Sequence, residues 1–342
     1  MRPACARSWW TPQPLELSSA PSYIVVLADG DAPREPDLPL TATMSPSFPD
    51  ATQLADDVLT DDALTDRVRV LQRRRGHRYS VDDVVTAWVA IRARPAARSC
   101  LDLGCGLGSV LLMLVDRMPE LHAVGIEAQA VSYALAQRNI ERNGLHRRAE
   151  VHFADLRDAA LIDRLTRDRS AGFELVTGTP PYKPLGSSTV SPDAQRAHAR
   201  VELRGGIEAY LEAAARALRP DGSFVICAES ALAPRVLVGA LAARLRVVQR
   251  LDVVPMLNRK ARLFSVYTLM RDGAPAVAAG PASVEQLVLR DASGARTEPA
   301  RALRRFFGLD SNPDELASPP GLGPLRRDHA AHHAITERSG CA

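Results

Sequence analysis

The 342-residue sequence contains no apolar run approaching the ~18 residues that cross a bilayer, which excludes a membrane-spanning reading. Its five cysteines, Cys5, Cys100, Cys105, Cys227 and Cys341, form no CxxC pair and have no spacing that fits zinc, so no metal site is expected. Three of them lie on or beside apolar strand-like runs, as buried free thiols do, and the expected setting is reducing and cytoplasmic. The opening "MRPACARSWW" lacks the apolar centre of a secretory signal, and an acid as early as Glu16 does not suit a transit peptide. Charge of one sign is lacking too. Lys and Arg total 43 against 40 Asp and Glu, a net +3 that permits an RNA partner without demanding one.

What is present suits one large domain, or one domain with extensions, because a single core stops growing near roughly 250–300 residues. Hydrophobic residues at 46% and charged residues at 24% are ordinary for a globular chain. Residues 1–55 are rich in Pro, Ser, Ala and Asp without sustained period, and are expected to form a disordered extension. Met44, followed by Ser-Pro, offers an alternative translation start.

Regular patterns begin near Ser80 and alternate in type. "SVDDVVTAWVAIRA" has apolar residues at helical spacing, with Ser80 and Asp83 as a capping box. Strand signals follow at "RSCLDLGC", "HAVGIEA", "AEVHFADL", "FELVTG", "SFVICAE", "RVVQRLDVV" and "RLFSVYTLMR". Helices are expected over "SVLLMLVDRM", "AVSYALAQRNIERNG", about 206–218 and about 233–244. This alternation predicts an α/β fold with a doubly wound, mainly parallel seven-stranded sheet, closed at one end by an antiparallel hairpin across the short "PMLNRKA" loop. Beyond Asp272, residues 273–310 are expected to add a small strand and helix, and residues 311–342 to be a disordered tail.

Two motifs carry chemistry. In "LDLGCGLGS" the glycines Gly104, Gly106 and Gly108 follow a strand and open a helix, so the backbone turns tightly and lets a ligand approach. Asp102 precedes them. Pyrophosphate does not call for an anion there, whereas a sulfonium cofactor with an α-amino group does, directly or through water. Glu127 ends the next strand, where a carboxylate can accept from both ribose hydroxyls, and Asp155 ends the one after, where it can accept from an adenine amine. Each acid alone is more often a solvated strand end; three at successive strand ends point to S-adenosylmethionine (SAM).

The second motif is "TPPY", Thr179 to Tyr182, after the fourth strand. Pro180 and Pro181 fix φ and remove two N–H groups, which leaves the Pro180 carbonyl as an acceptor. Tyr182 offers a face for stacking a planar base, worth ~1–3 kcal/mol by alanine substitution. A planar amine is a poor nucleophile because its lone pair is delocalised. Acceptors at both N–H groups draw it toward sp³ character as it attacks a methyl, with no general base.

With these residues the chain resembles the bacterial tRNA(Val) adenine-N6 methyltransferase family, in the group that also holds release-factor glutamine methyltransferases. The resemblance spans about residues 57–272 and rests on "LTDDALTDRVRVLQRRRGHRYSVDDVVTAWVA", "LDLGCGLGSVLLML", the "TPPYKPLGSSTVSPDAQRAHARVELRGG" stretch and "VVPMLNRKARLFSVYTL". It implies a Rossmann-like SAM-dependent methyltransferase domain over 56–272 that methylates the N6 amine of an adenine in tRNA. It further implies that Arg78 and Tyr79 help close the cofactor pocket and that Gln195, Arg196 and Arg200 order the loop beyond TPPY. The run containing Arg73, Arg74 and Arg75 would contact RNA phosphates, with Lys183 and the "NRKAR" loop beside the site. A solvated face is the ordinary alternative for such a run. The departure is Thr179, where the family has Asn. The shorter hydroxyl is a weaker acceptor, at a cost of about 1–3 kcal/mol, or roughly 10- to 100-fold in rate. The other readings are methylation of a protein glutamine or small-molecule amine, and a SAM- or RNA-binding module with weakened catalysis.

Overall fold

The computed structural model describes residues 58–309 except 168, 170, 259, 260 and 275–281, so the extensions expected at 1–55 and 311–342 lie outside the described residues. In chain order the strands are β1 (Leu59–Ala63), β2 (Arg69–Arg73), β3 (Ser99–Leu103), β4 (His122–Glu127), β5 (Ala149–Phe153), β6 (Phe173–Gly178), β7 (Leu218–Glu229), β8 (Leu245–Val254), β9 (Phe264–Arg271) and β10 (Ser283–Val288). The helices are α1 (Val81–Ala93), α2 (Ser109–Arg117), α3 (Ala130–Arg142), α4 (Ala159–Arg167), α5 (Ala194–Arg200), α6 (Ile207–Ala217), α7 (Ala233–Ala242) and α8 (Glu298–Phe306).

Strands β3 to β10 form one sheet in the order β10-β8-β9-β7-β6-β3-β4-β5. It is parallel throughout except where β9 runs against β7 and β8, and the β8–β9 pair is the hairpin foreseen across "PMLNRKA". The expected seven strands are β3 to β9; the sheet has an eighth. Strand β10 pairs in parallel with β8, from Ser283 opposite Gln249 to Val288 opposite Val254. Its residues were read as an appendage, yet they cover backbone groups of β8 that would otherwise form a bare edge. The "NRKAR" loop is described only in part, with Arg259 and Lys260 outside the described residues.

Apolar layers pack on both faces. On one face α1, α2, α3 and α8 bury Val85, Leu111, Leu114, Leu135 and Leu303 against Cys100, Val225 and Val266. On the other, α4, α6 and α7 bury Leu161, Leu211 and Val236 against Leu101, Leu103, Ile126 and Phe224. Alternation along each strand divides its residues between these layers, so both helix layers are needed to keep the sheet dry.

Helix α1 begins where foreseen, with Asp83 Oδ2 accepting the Ser80 N–H at 2.8 Å. The β1–β2 hairpin, α4 and α5 were not anticipated. The hairpin is fixed by Asn139 of α3, whose Oδ1 accepts from Leu71 N at 2.7 Å while its Nδ2 donates to the carbonyls of Leu71 and Leu107. One fully buried amide thereby joins the hairpin, α3 and the glycine turn. The connectivity runs outward from β3 to β4 and β5 on one side and to β6 and β7 on the other, so β3 and β6 flank the switch point. Leu103 lies opposite both Ile126 and Gly178, which brings the carboxyl ends of β3, β4 and β6 to one edge, the place where such sheets bind ligands.

Candidate active site

A cleft, partly open to solvent, lies over this edge. Its floor is the turn from β3 to α2. Gly104 has φ +60°, and a Cβ there would stand 2.3 Å from Tyr210 Oη; Gly106 has φ +57° and faces open space. Only glycine meets both demands at Gly104, while Gly106 leaves room for another molecule. Gly108 caps α2 and packs near Ala136, and is not part of the cleft wall.

Glu127, at the end of β4, and Asp155, just beyond β5, line the cleft. Glu127 is buried, and its oxygens accept the N–H groups of Gly106 at 2.9 Å and Gln129 at 2.6 Å. Burial raises its pKa, and those two amides oppose the rise. Asp155 is half-buried and gripped by Arg157, with Nε at 3.0 Å and Nη2 at 2.7 Å. Burial acts to raise the Asp155 pKa, but the Arg157 bonds hold it below the ordinary carboxylate value. Each acid retains acceptor capacity beyond these bonds.

Asp102 is placed differently from the sequence expectation. It is 2% exposed and does not line the cleft, because alternation along β3 turns it toward α2, away from Leu101 and Leu103. Thr177 Oγ1 donates to its Oδ1 at 2.7 Å, while Oδ2 has no partner among the described residues. Burial raises its pKa to about 7 against the pull of the Thr177 bond.

Of the TPPY motif, Thr179 and Pro181 line the cleft, and Thr179 makes no hydrogen bond among the described residues. Pro180 is buried and Tyr182 half-buried, and neither is on the wall. The Tyr182 ring packs between the two apolar layers instead of standing free as a stacking platform. Lys183 pairs with Glu229 at 3.1 Å on the surface.

The segment before α1 and its first turn add a wall with His77, Tyr79 and Asp83, and the start of α2 adds Ser109. Tyr79 is on that wall, braced by Gln72 through its N–H and by the Ala63 carbonyl through its hydroxyl. Arg78 is not; its guanidinium turns outward to Thr60 at 2.7 Å and Asp62 at 3.1 Å, where it fastens the hairpin. Arg73 is likewise unavailable to phosphates, because it is mostly buried in an ion pair with Asp193 at 3.0 Å. Arg74 and Arg75 are exposed, and no ion pair engages them among the described residues.

Gln195 is buried, not at a surface: Oε1 accepts from His77 N at 3.1 Å and Arg73 Nη1 at 3.3 Å, and Nε2 donates to Ser132 Oγ at 3.2 Å. Gly76 allows this approach, since a Cβ there would stand 2.2 Å from Gln195 Oε1. Arg196 is half-buried, and its N–H is capped by Asp193. Arg200 is exposed, with its carbonyl taking the Lys183 N–H at 2.9 Å, so α5 is stitched to the segment after TPPY.

Tyr210, His198 and Arg204 are among the cleft residues that escaped the sequence reading. Tyr210 of α6 packs where Gly104 and Gly178 leave space; His198 and Arg204 come from α5 and the segment after it, and an Arg204 guanidinium N–H donates to the Ala128 carbonyl. The glycine at the end of β6 was the available signal for Tyr210. Three of the five cysteines, Cys100, Cys105 and Cys227, are buried free thiols, and Cys5 and Cys341 lie outside the described residues. Among the described residues, no His, Cys, Asp and Glu group could hold a metal ion, and no helix is long and apolar enough to cross a membrane.

Residues 81–184 match the methyltransferase small domain family. The chain is similar to a release factor glutamine methyltransferase of Geobacter sulfurreducens, 30% identical over 152 residues that cover 42% of this chain and 50% of that protein. It is also similar to a tRNA1(Val) (adenine(37)-N6)-methyltransferase of Porphyromonas gingivalis, 31% identical over 37% of this chain and 48% of that one. To a Dickeya chrysanthemi protein of the same name it is 29% identical over 65% of this chain and 84% of that one. Against the first of these relatives the match spans about half their length. A solved structure named a predicted O-methyltransferase, from Agrobacterium tumefaciens, aligns with TM-score 0.49 and 15% identity over 67% of this chain and 98% of that one.

Proposed function

We propose that this protein, whose residues 81–184 match the methyltransferase small domain family, transfers a methyl group from SAM to a planar amine, the N6 amine of an adenine in tRNA. The observation that carries this reading is the convergence on one cleft of Gly104, Gly106, Glu127 and Asp155 with Thr179 and Pro181. The first set suits a nucleoside with a cationic tail, and the second lies where an acceptor amine must enter.

The residues fit such a cofactor. Gly106 leaves open space at a left-handed turn, and Glu127 is held by the Gly106 and Gln129 amides with lone pairs to spare for ribose hydroxyls. Asp155, fixed by Arg157, can accept from an adenine amine. When bound, SAM supplies an electrophilic methyl on a sulfonium. The chain's own contribution is positioning. The Thr179 hydroxyl, free of other bonds, faces the cleft to accept an amine hydrogen, and Tyr182, bonded to Asp82, holds the Pro-Pro segment in place. Arg74, Arg75 and Arg200, all exposed, offer phosphate contacts.

A protein glutamine is the second reading, favoured by the release factor glutamine methyltransferases among the relatives, since its amide is also planar. Both are tested together by offering purified protein and labelled SAM to unmodified tRNA and to release factor. Nucleoside mass spectrometry of tRNA with and without the gene then checks the first in the cell. Label in tRNA and a gene-dependent N6-methyladenosine support the first reading; label confined to protein replaces it with the second.

A further inference from the structure

Asp83 enters the sequence reading only as a helix cap, yet its side chain is 8% exposed and forms part of the cleft wall. Capping uses one oxygen: Oδ2 takes the Ser80 N–H at 2.8 Å. The Ser109 hydroxyl lies near enough to stabilise the anion. No cationic side chain pairs with Asp83 among the described residues. A capping acid is ordinarily solvated; this one is turned into a cleft with capacity left on the carboxylate.

Its position along the sheet decides what it would meet. Glu127 and Asp155 lie on the β4–β5 side of the glycine turn. The start of α1 is tied to the opposite side, because Tyr182 Oη, following β6, lies 3.0 Å from Asp82 Oδ2 and 2.9 Å from Cys227 Sγ on β7. A cofactor whose ribose is at Glu127 and adenine at Asp155 must therefore extend its other end across Gly104 and Gly106 toward Asp83. For SAM that end is an amino acid.

We infer that Asp83 is a cofactor-binding residue that pairs with the α-ammonium group at the amino-acid end of SAM, an assignment that rests on the methyl-donor reading above. Desolvation agrees with it. Burial, followed by the neighbouring Asp82 charge, raises the Asp83 pKa to about 8, so with no cation beside it the acid is largely protonated near neutrality. The groups facing it are Asp82 on α1, Tyr79 just before α1, Asp102 on β3, Ser109 on α2 and Cys227 on β7; none is cationic. An entering ammonium supplies the missing charge, and the Asp83 proton leaves to solvent.

The test is calorimetry of wild type and Asp83→Asn with three ligands: SAM, S-adenosylhomocysteine, which keeps the ammonium but lacks the sulfonium, and 5′-methylthioadenosine, which lacks the amino-acid end. Asparagine still accepts the Ser80 N–H, so the cap is retained. The expected result is a loss of about tenfold or more for SAM and S-adenosylhomocysteine alike, with methylthioadenosine within about twofold of wild type. Equal losses for all three ligands, or a loss for SAM alone, overturn the assignment. The wild-type protein gives a second test that needs no variant. In buffers of different ionisation enthalpy near pH 7, SAM and S-adenosylhomocysteine should release most of one proton and methylthioadenosine none; no release overturns the assignment. Wild type that binds none of the three overturns the methyl-donor reading and this assignment with it, whereas binding of all three unchanged in Asp83→Asn overturns the assignment alone.

Discussion

Tyr182 Oη donates to Asp82 Oδ2 at 3.0 Å, so the residue that closes the TPPY motif is fastened to the first turn of a helix that begins a hundred residues earlier. The bond fixes the wall that carries Thr179 relative to the wall that carries Asp83. Tyr182→Phe keeps the ring in its packing and removes this bond together with the hydroxyl's 2.9 Å contact to Cys227 Sγ, at an expected cost of about 1 kcal/mol. Tyr182→Ala also removes the ring and is expected to cost about 3 kcal/mol. Urea unfolding measures both; a phenylalanine variant as stable as wild type would show the bond to be idle.

Thr179 stands in the cleft with its hydroxyl uncommitted. Substitution by asparagine supplies a longer and stronger acceptor, and kcat/KM on unmodified tRNA is expected to rise by roughly 10- to 100-fold. Thr179→Ala should lower it. If the asparagine variant is instead less active on tRNA than wild type, the hydroxyl is matched to a different acceptor.

Gly104→Ala combines a φ of +60° with a Cβ 2.3 Å from Tyr210 Oη, and about 2 kcal/mol or more of stability should be lost. At Gly106 the added methyl meets nothing within 4 Å and enters the cleft. Its main expected effect is on SAM affinity, at about 1 kcal/mol of strain. Thermal unfolding and calorimetry side by side separate the two; equal effects on stability from both variants would contradict this division.

Stability should depend on pH through Asp83 and Asp102. Burial first, then Asp82 for the one and Glu127 for the other, raise their folded values to about 8 and about 7 from an ordinary 3.8. Between these limits the native state holds protons that the unfolded chain releases, so stability is greatest at the acid end of the window and falls as pH rises. Melting temperatures of the unliganded protein should therefore drop between about pH 5.5 and pH 8.5, and Asp102→Asn should flatten the curve. A melting temperature that climbs across that range would contradict both assignments.

The sheet was readable because β3 to β9 are short apolar runs bounded by turn residues, and their order follows from alternation with helices. The glycine turn was readable for a local reason: three glycines after a strand and before a helix have few other uses. What escaped depends on pairing at long range. Strand β1, "LTDDA", has almost no apolar pattern and is held through its antiparallel partner β2, which is fixed in turn by Asn139 about seventy residues later. Arg73 looked like one cation in a run, but its partner Asp193 is 120 residues away. Asp102 was assigned by motif to the ligand, yet the period of two along β3 already set it on the opposite face from Leu101 and Leu103. Asp83 was legible as a cap and not as a cleft wall, because a helix start says nothing of what lies in front of it.

Strand β10 pairs with β8, although β9 and the residues after it separate them in the chain. During synthesis the parallel strands that carry the glycine turn and Thr179 emerge first, and β8 and β9 can then form their hairpin. Until residue 288 has left the ribosome, one edge of that sheet stands open to any other extended chain. A truncation at Asp272 would keep every cleft residue named above and still leave that edge permanently bare, so such a fragment should be prone to strand-to-strand association.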